Sequence, residues 1–132
     1  MTPHRFPIRI YYEDTDFSGN VYHAAYLKFF ERGRTEFLRD LGIHHSALME
    51  QGLAFAVRHM EIDFIAAARI DDLLAVETRI ADATGVRLVL EQTLLRDQIV
   101  LTSARVTVVS IKMSGGPARL PASLRARLMG ES

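Results

Sequence analysis

Near the start of the chain, Phe6, Ile8, Ile10 and Tyr12 alternate with polar or partly exposed positions, a period of two that predicts a first strand. The period then changes. Tyr26, Phe30, Gly33, Phe37 and Leu41 recur at steps of four, three, four and four, which places them on one face of a 3.6-residue helix. Glu31, Arg32, Glu36, Arg39 and Asp40 fall on the other face, with Arg32 and Glu36 spaced as an i,i+4 pair. Gly33 costs such a helix about 1 kcal/mol relative to Ala. Its place in the apolar stripe predicts that a sheet presses directly on the backbone there. Gly42 stands where a left-handed residue ends the helix.

After this helix, residues 42–52 read as a connection carrying a short second helix, with Ser46 as its N-cap. From Ala54 to Lys112 the pattern is that of strands. Met60, Ile62 and Phe64 alternate with His59, Glu61 and Asp63; Leu74, Val76, Thr78 and Ile80 follow a loop at 66–72; Leu88, Leu90, Gln92 and Leu94 follow a turn at Asp82–Gly85. Asp97-Gln98 reads as a tight hairpin into a last strand, Ile99 to Lys112, apolar on both faces around Val106–Val109 and therefore expected in the interior of the sheet. Pro121 opens a short terminal helix, Ala122 to Met129. One long helix and about five antiparallel strands make an α+β domain whose sheet wraps the helix. Outward-facing Val89, Leu95 and Val109, with the open sheet edges, predict that the domain does not stand alone.

A length of 132 residues suits one domain, 1–132. Basic and acidic residues balance at 16 each, which gives no electrostatic basis for binding nucleic acid or an anionic membrane. Without cysteine there is no disulfide, no thiolate nucleophile and no thiolate-held metal. His44 and His45 are adjacent and lack a third ligand, so no metal is expected. The N-terminus carries no long apolar segment and no run of 18 apolar residues exists, so a cytoplasmic protein without a membrane span is expected.

The chemistry concentrates in the turn before the long helix. Glu13, Asp14 and Asp16 set three carboxylates within four residues, just ahead of backbone N–H groups that favour negative charge. One reading is structural: Asp14, Asp16, Ser18 or Asn20 caps the helix. The other is a catalytic carboxylate beside a ready-made oxyanion site, with Tyr22 and His23 in the first turn. Periodicity does not choose between them.

The run Y-Y-E-D-T-D-x-x-G-x-V-Y-H-x-x-Y-L-x-x-x-E-x-x-R-T-E-x-L from Tyr11, and the later F-x-x-x-A-R-I-D-D-L-L from Phe64 to Leu74, resemble the signature of hotdog-fold acyl-CoA thioesterases. The likeness is to 4-hydroxybenzoyl-CoA thioesterase and, more closely, to the Tol-Pal-associated acyl-CoA thioesterases. It implies the hotdog fold, a five-stranded antiparallel sheet around one long central helix, and hydrolysis of acyl-CoA to free acid and CoA. Because no set of His, Asp and Glu shows metal-ligand spacing and cysteine is absent, no cofactor is expected. The resemblance carries site residues as well. It implies Asp16 as general base or nucleophile, and the backbone N–H of His23 as the donor that holds the thioester oxygen. Tyr12 and His23 match positions that place substrate or water in such relatives, while Asp14 matches a supporting position. Gly19, Val21, Tyr22 and Tyr26 belong to the same motif and are expected along the substrate, Tyr26 as core or pocket wall. Arg58, His59 and Met60 lie on the strand that approaches the catalytic Asp of a partner subunit. Hotdog proteins form dimers, often doubled to tetramers, so a homo-oligomer is expected. Some relatives carry several basic residues at the turn after the third strand, where CoA phosphates bind; here Ala83–Arg87 holds a single Arg. The CoA handle is then Arg58, Arg69 or Arg87 from either subunit, or an acyl-carrier protein delivers the acyl group. A hotdog hydratase or dehydratase and a non-catalytic acyl-binding module are the other readings; the retained Asp16, Gly19 and His23 argue against the latter.

Overall fold

The computed structural model describes residues 3–129. Its elements run β1 (His4–Arg9), α1 (His23–Asp40), α2 (His45–Glu50), β2 (Leu53–Phe64), β3 (Leu73–Ala83), β4 (Arg87–Arg96), β5 (Ile99–Lys112) and α3 (Ala122–Leu128). All pairings are antiparallel, in the order β1-β3-β4-β5-β2. The apolar stripe of α1 packs on the inner face of this sheet, and Ala25, Tyr26, Phe29, Phe30 and Leu38 join Ile8, Leu74, Val76, Leu90, Leu94 and Val106 in one core cluster. This is the α+β hotdog layout. Phe29, absent from the stripe read by period alone, is buried because α1 has sheet or loop on more than one side.

Gly33 is the point of closest approach. A Cβ there would stand 2.5 Å from Val76 Cγ1 and 3.3 Å from Gln92 Nε2, so only glycine fits. Gln92, buried among β4 leucines, donates to Phe30 O and to Thr78 Oγ1, both at 3.0 Å, and thereby ties helix to sheet. Gly42 has φ +81°. Its N–H reaches Arg39 O and that of Ile43 reaches Leu38 O, the paired bonds of a Schellman end.

Several expectations are corrected. The first strand stops at Arg9, because Ile10 pairs with Asp71 and Asp72 and Tyr12 enters a 3-10 turn, Tyr12–Asp14. Ser46 does not cap α2; His44 occupies that position without a side-chain bond, and Leu48 N–H closes on His44 O. Glu36 lies 3.8 Å from Arg39, one turn on, rather than pairing with Arg32. The turn after β3 starts at Thr84, whose hydroxyl accepts the N–H groups of Val86 and Arg87. Val89 and Leu95 lie outside the core cluster yet are only 7% and 9% exposed within the single chain. They supply little surface for a partner. The sheet ends on two edge strands, β1 and β2, and on the longer of them, β2, Val57 and Phe64 are exposed. Among the described residues no helix is long and apolar enough to cross a membrane.

Candidate active site

The acidic turn is closed by its own groups. Asp14, 4% exposed, accepts the Tyr11 N–H at 2.9 Å and has Lys28 Nζ at 3.9 Å, while its carbonyl takes the Tyr22 N–H. Asp16 N–H donates to Asn20 O, and Gly19 N–H to Asp16 O, with Gly19 at φ +83° at the tip. An isolated bridge from Thr15 to Val21 closes this loop on itself, and the bridge of Asn20 to Arg69, with the bonds Val21 N–H to Ala68 O and Ile70 N–H to Gly19 O, stitches it to the loop after β2. Asp16 therefore sits on a fixed support while its side chain is open to solvent.

None of the four polar residues weighed as caps holds the start of α1. The N-cap is Tyr22, with no side-chain bond. Ala25 N–H returns to Tyr22 O, and among the described residues the N–H groups of His23 and Ala24 meet no acceptor. A helix end left open in this way has N–H donors free for an anion or a partly negative oxygen.

A cleft of about 390 Å³ lies over that end, lined by Asp16, Asn20, Val21, Tyr22, His23, Tyr26 and residues 64–67. The His23 ring rests 4.6 Å from Phe64, and Phe64 meets Tyr26 edge-on at 5.3 Å. Tyr26 is both core and wall: it is 2% exposed, and its hydroxyl accepts the Ala68 N–H at 3.0 Å, which fixes the opposite lip.

Hydrogen bonds from the Ser18 hydroxyl and then the Ser18 N–H hold Asp16 below the usual carboxylate pKa; slight desolvation opposes them and the Asn20 backbone adds a smaller lowering. Both Ser18 bonds go to Oδ1, which leaves Oδ2 free. Ser18→Ala removes the largest cause, so the acid limb of a kcat/KM profile is expected to move to higher pH than in the parent enzyme. An unchanged limb would show that the bond does not set the reactive state.

Five expected site residues thus meet in one cleft: Asp16, Val21, Tyr22, His23 and Tyr26. Gly19 stands behind Asp16 as the turn's tip. Tyr12, 79% exposed in the 3-10 turn, is not among the lining residues. Arg58, His59 and Met60 lie along the edge strand β2, away from the cleft of their own chain; His59 faces Glu61 at 3.3 Å, and Met60 packs on the core. Phe64 and Asn20 are the additions. Phe64 opens the second resembling run, a signal read only as the end of a strand, and Asn20 was weighed only as a cap.

Comparison with known proteins identifies the family. A family model described as "Thioesterase-like superfamily" matches residues 11–128. The acyl-CoA thioesterase YbgC of Haemophilus influenzae is 46% identical over 92% of this chain and 90% of its own. The acyl-CoA thioester hydrolase YbgC of Escherichia coli O6:H1 is 43% identical over 92% of both. The crystal structure of a probable thioesterase from Bartonella henselae superposes with a TM-score of 0.86 at 49% identity, covering 90% of this chain and 99% of that one. The match over almost the whole chain, with the Asp16 loop and the first turn of α1 inside it, shows that this protein belongs to the thioesterase-like superfamily.

Proposed function

We propose that the protein hydrolyses acyl-CoA thioesters to a free acid and CoA, with Asp16 and the N-terminus of α1 as its catalytic parts. The observation that carries this is one cleft lined both by an exposed carboxylate, Asp16, and by His23, whose helix-terminal N–H is unbonded among the described residues. The thioester oxygen accepts the His23 N–H and becomes negative as the carbonyl carbon turns tetrahedral. In one route Asp16 takes a proton from the attacking water; the C–S bond then breaks and the thiolate leaves, protonated in solvent. In the other an Asp16 oxygen attacks, the thiolate leaves, and water cleaves the resulting anhydride. An exposed carboxylate with a lowered pKa is a weak base. Substrate covering the cleft would desolvate Asp16 and raise its basicity. His23 and Tyr22 flank the carbonyl, and Phe64 and Tyr26 form the apolar wall for the acyl group.

For the CoA end, Arg58 and Arg87 share a groove of about 540 Å³ with Thr84, Val86 and Ser110. The Arg119 guanidinium lies against Gly85 in the same turn, so cations distant in sequence replace the basic run that the turn lacks. This supports CoA rather than an acyl-carrier protein as donor. The test compares one acyl group carried on CoA and on acyl-carrier protein: kcat/KM should favour CoA and fall in Arg58→Ala, and preference for the carrier protein would overturn it.

The edge strand β2, twelve residues long with exposed apolar side chains, supports a homo-oligomer built from dimers, in which Arg58, His59 and Met60 meet the partner's cleft. Light scattering should give a mass of at least twice the chain's 14.9 kDa, and a single-chain mass would contradict it. Turnover should also survive extensive chelation. Loss of activity that one divalent ion restores would refute a metal-free mechanism.

A further inference from the structure

Far along α1 from the Asp16 cleft, a second cavity of about 280 Å³ opens between α1, α2 and the inner face of the sheet. Its sheet side is apolar, with Leu88 and Leu90 from β4, Val108 from β5 and Phe55 from β2. One wall carries Arg34. That guanidinium is largely withdrawn from solvent, and burial pushes its pKa down against the opposing charge of Glu31 one turn earlier.

Arg34 has a single protein partner among the described residues, the Gln92 Oε1, which accepts from Nη1 at 3.1 Å. Gln92 itself has no freedom. Both donors of its amide group are spent on Phe30 O and Thr78 Oγ1, so Oε1 faces Arg34 and anchors one side of the fork. The remaining N–H groups meet no described carboxylate within ion-pair reach, although Glu31 and His45 also line the cavity. A guanidinium held rigidly, desolvated and short of acceptors recognises a carboxylate in a bidentate manner. The hydrolytic mechanism above does not use this group.

We infer that this cavity is a binding site for a small organic carboxylate, whose charged end meets Arg34 and whose compact apolar body lies over Leu88, Leu90 and Val108. The carboxylate has two sources, a free acid or the distal carboxylate of an acyl thioester reaching in from a second copy's cleft. The second rests on the thioesterase reading; the first does not.

The probes are benzoate and its neutral isostere benzamide, added to the native protein. Benzoate should raise the melting temperature and shift the methyl resonances of Leu88, Leu90 and Val108, with benzamide binding about tenfold more weakly. The comparison uses the parent chain and so does not depend on a variant that folds. Arg34→Gln should weaken benzoate by about tenfold, and Asp16→Asn should leave its binding unchanged. Equal binding of the two probes, no binding, or shifts confined to the Asp16 cleft would overturn the site. The source is then read by turnover of glutaryl-CoA against pentanoyl-CoA. A selective loss with glutaryl-CoA in Arg34→Gln assigns the thioester's distal carboxylate, and equal turnover ratios alongside retained benzoate binding by the parent assign a free acid.

Discussion

Asp16→Asn is expected to lower turnover by about 10²–10⁴-fold while the protein stays folded and still binds substrate. The amide keeps the size of the side chain, and its oxygen can still accept the two Ser18 bonds, so the loop retains its shape. What it loses is the free, basic Oδ2. Because the folded-state pKa of Asp16 lies below its ordinary value, its contribution to stability is present above that ordinary value and lost as pH falls through the folded one. The group is exposed and the contribution screened, so the melting temperature of the variant at neutral pH should change little. Asp14→Asn is the contrasting case. Asp14 is buried; Asn keeps an oxygen for the Tyr11 N–H but exchanges the charge beside Lys28 for an amide NH2 group that must be buried. Its replacement should therefore act on stability, by about 1 kcal/mol, and far less on turnover. Near-normal turnover in Asp16→Asn would remove this residue from the mechanism.

Gly33→Ala is expected to destabilise the protein by about 2 kcal/mol, although Ala is the better helix former by about 1 kcal/mol. The added methyl would overlap Val76, whose β-branched side chain is buried and stiff, and would press on Gln92. Overpacking costs about 1–3 kcal/mol, and disturbing the buried amide adds about 1 kcal/mol or more. Sterics therefore outweigh propensity. For a chain of this size the melting temperature should fall by roughly 8 °C. A rise would show that the sheet can move away from α1 at no cost.

The strands, the central helix and its glycine stop were legible because each rests on local periodicity or on one backbone requirement: the stripe through Gly33, the left-handed Gly42, the alternation of Leu88, Leu90, Gln92 and Leu94. Motif resemblance, rather than pattern, singled out Asp16 and His23. The acidic turn misled by pattern because its carboxylates bond within the turn and leave the helix end open, a matter of loop geometry that composition does not express. Tyr12 continued the alternation, but Ile10 pairs with Asp71 and Asp72, 61 and 62 residues away, and that contact ends the strand. Phe64 joined the cleft for the same kind of reason, since the bridge of Asn20 to Arg69 folds the two loops together. Arg34 carries no signal in the helix period, because what distinguishes it is its bond to Gln92, 58 residues away on β4.

The central claim is tested most directly by thiol release from a panel of acyl-CoA thioesters, with the acid product quantified and Asp16→Asn run beside the parent. The account predicts free CoA and free acid in equal amounts for at least one acyl group, with release by the variant reduced by orders of magnitude. No thiol release from any thioester, or equal release by the parent and the variant, would contradict it.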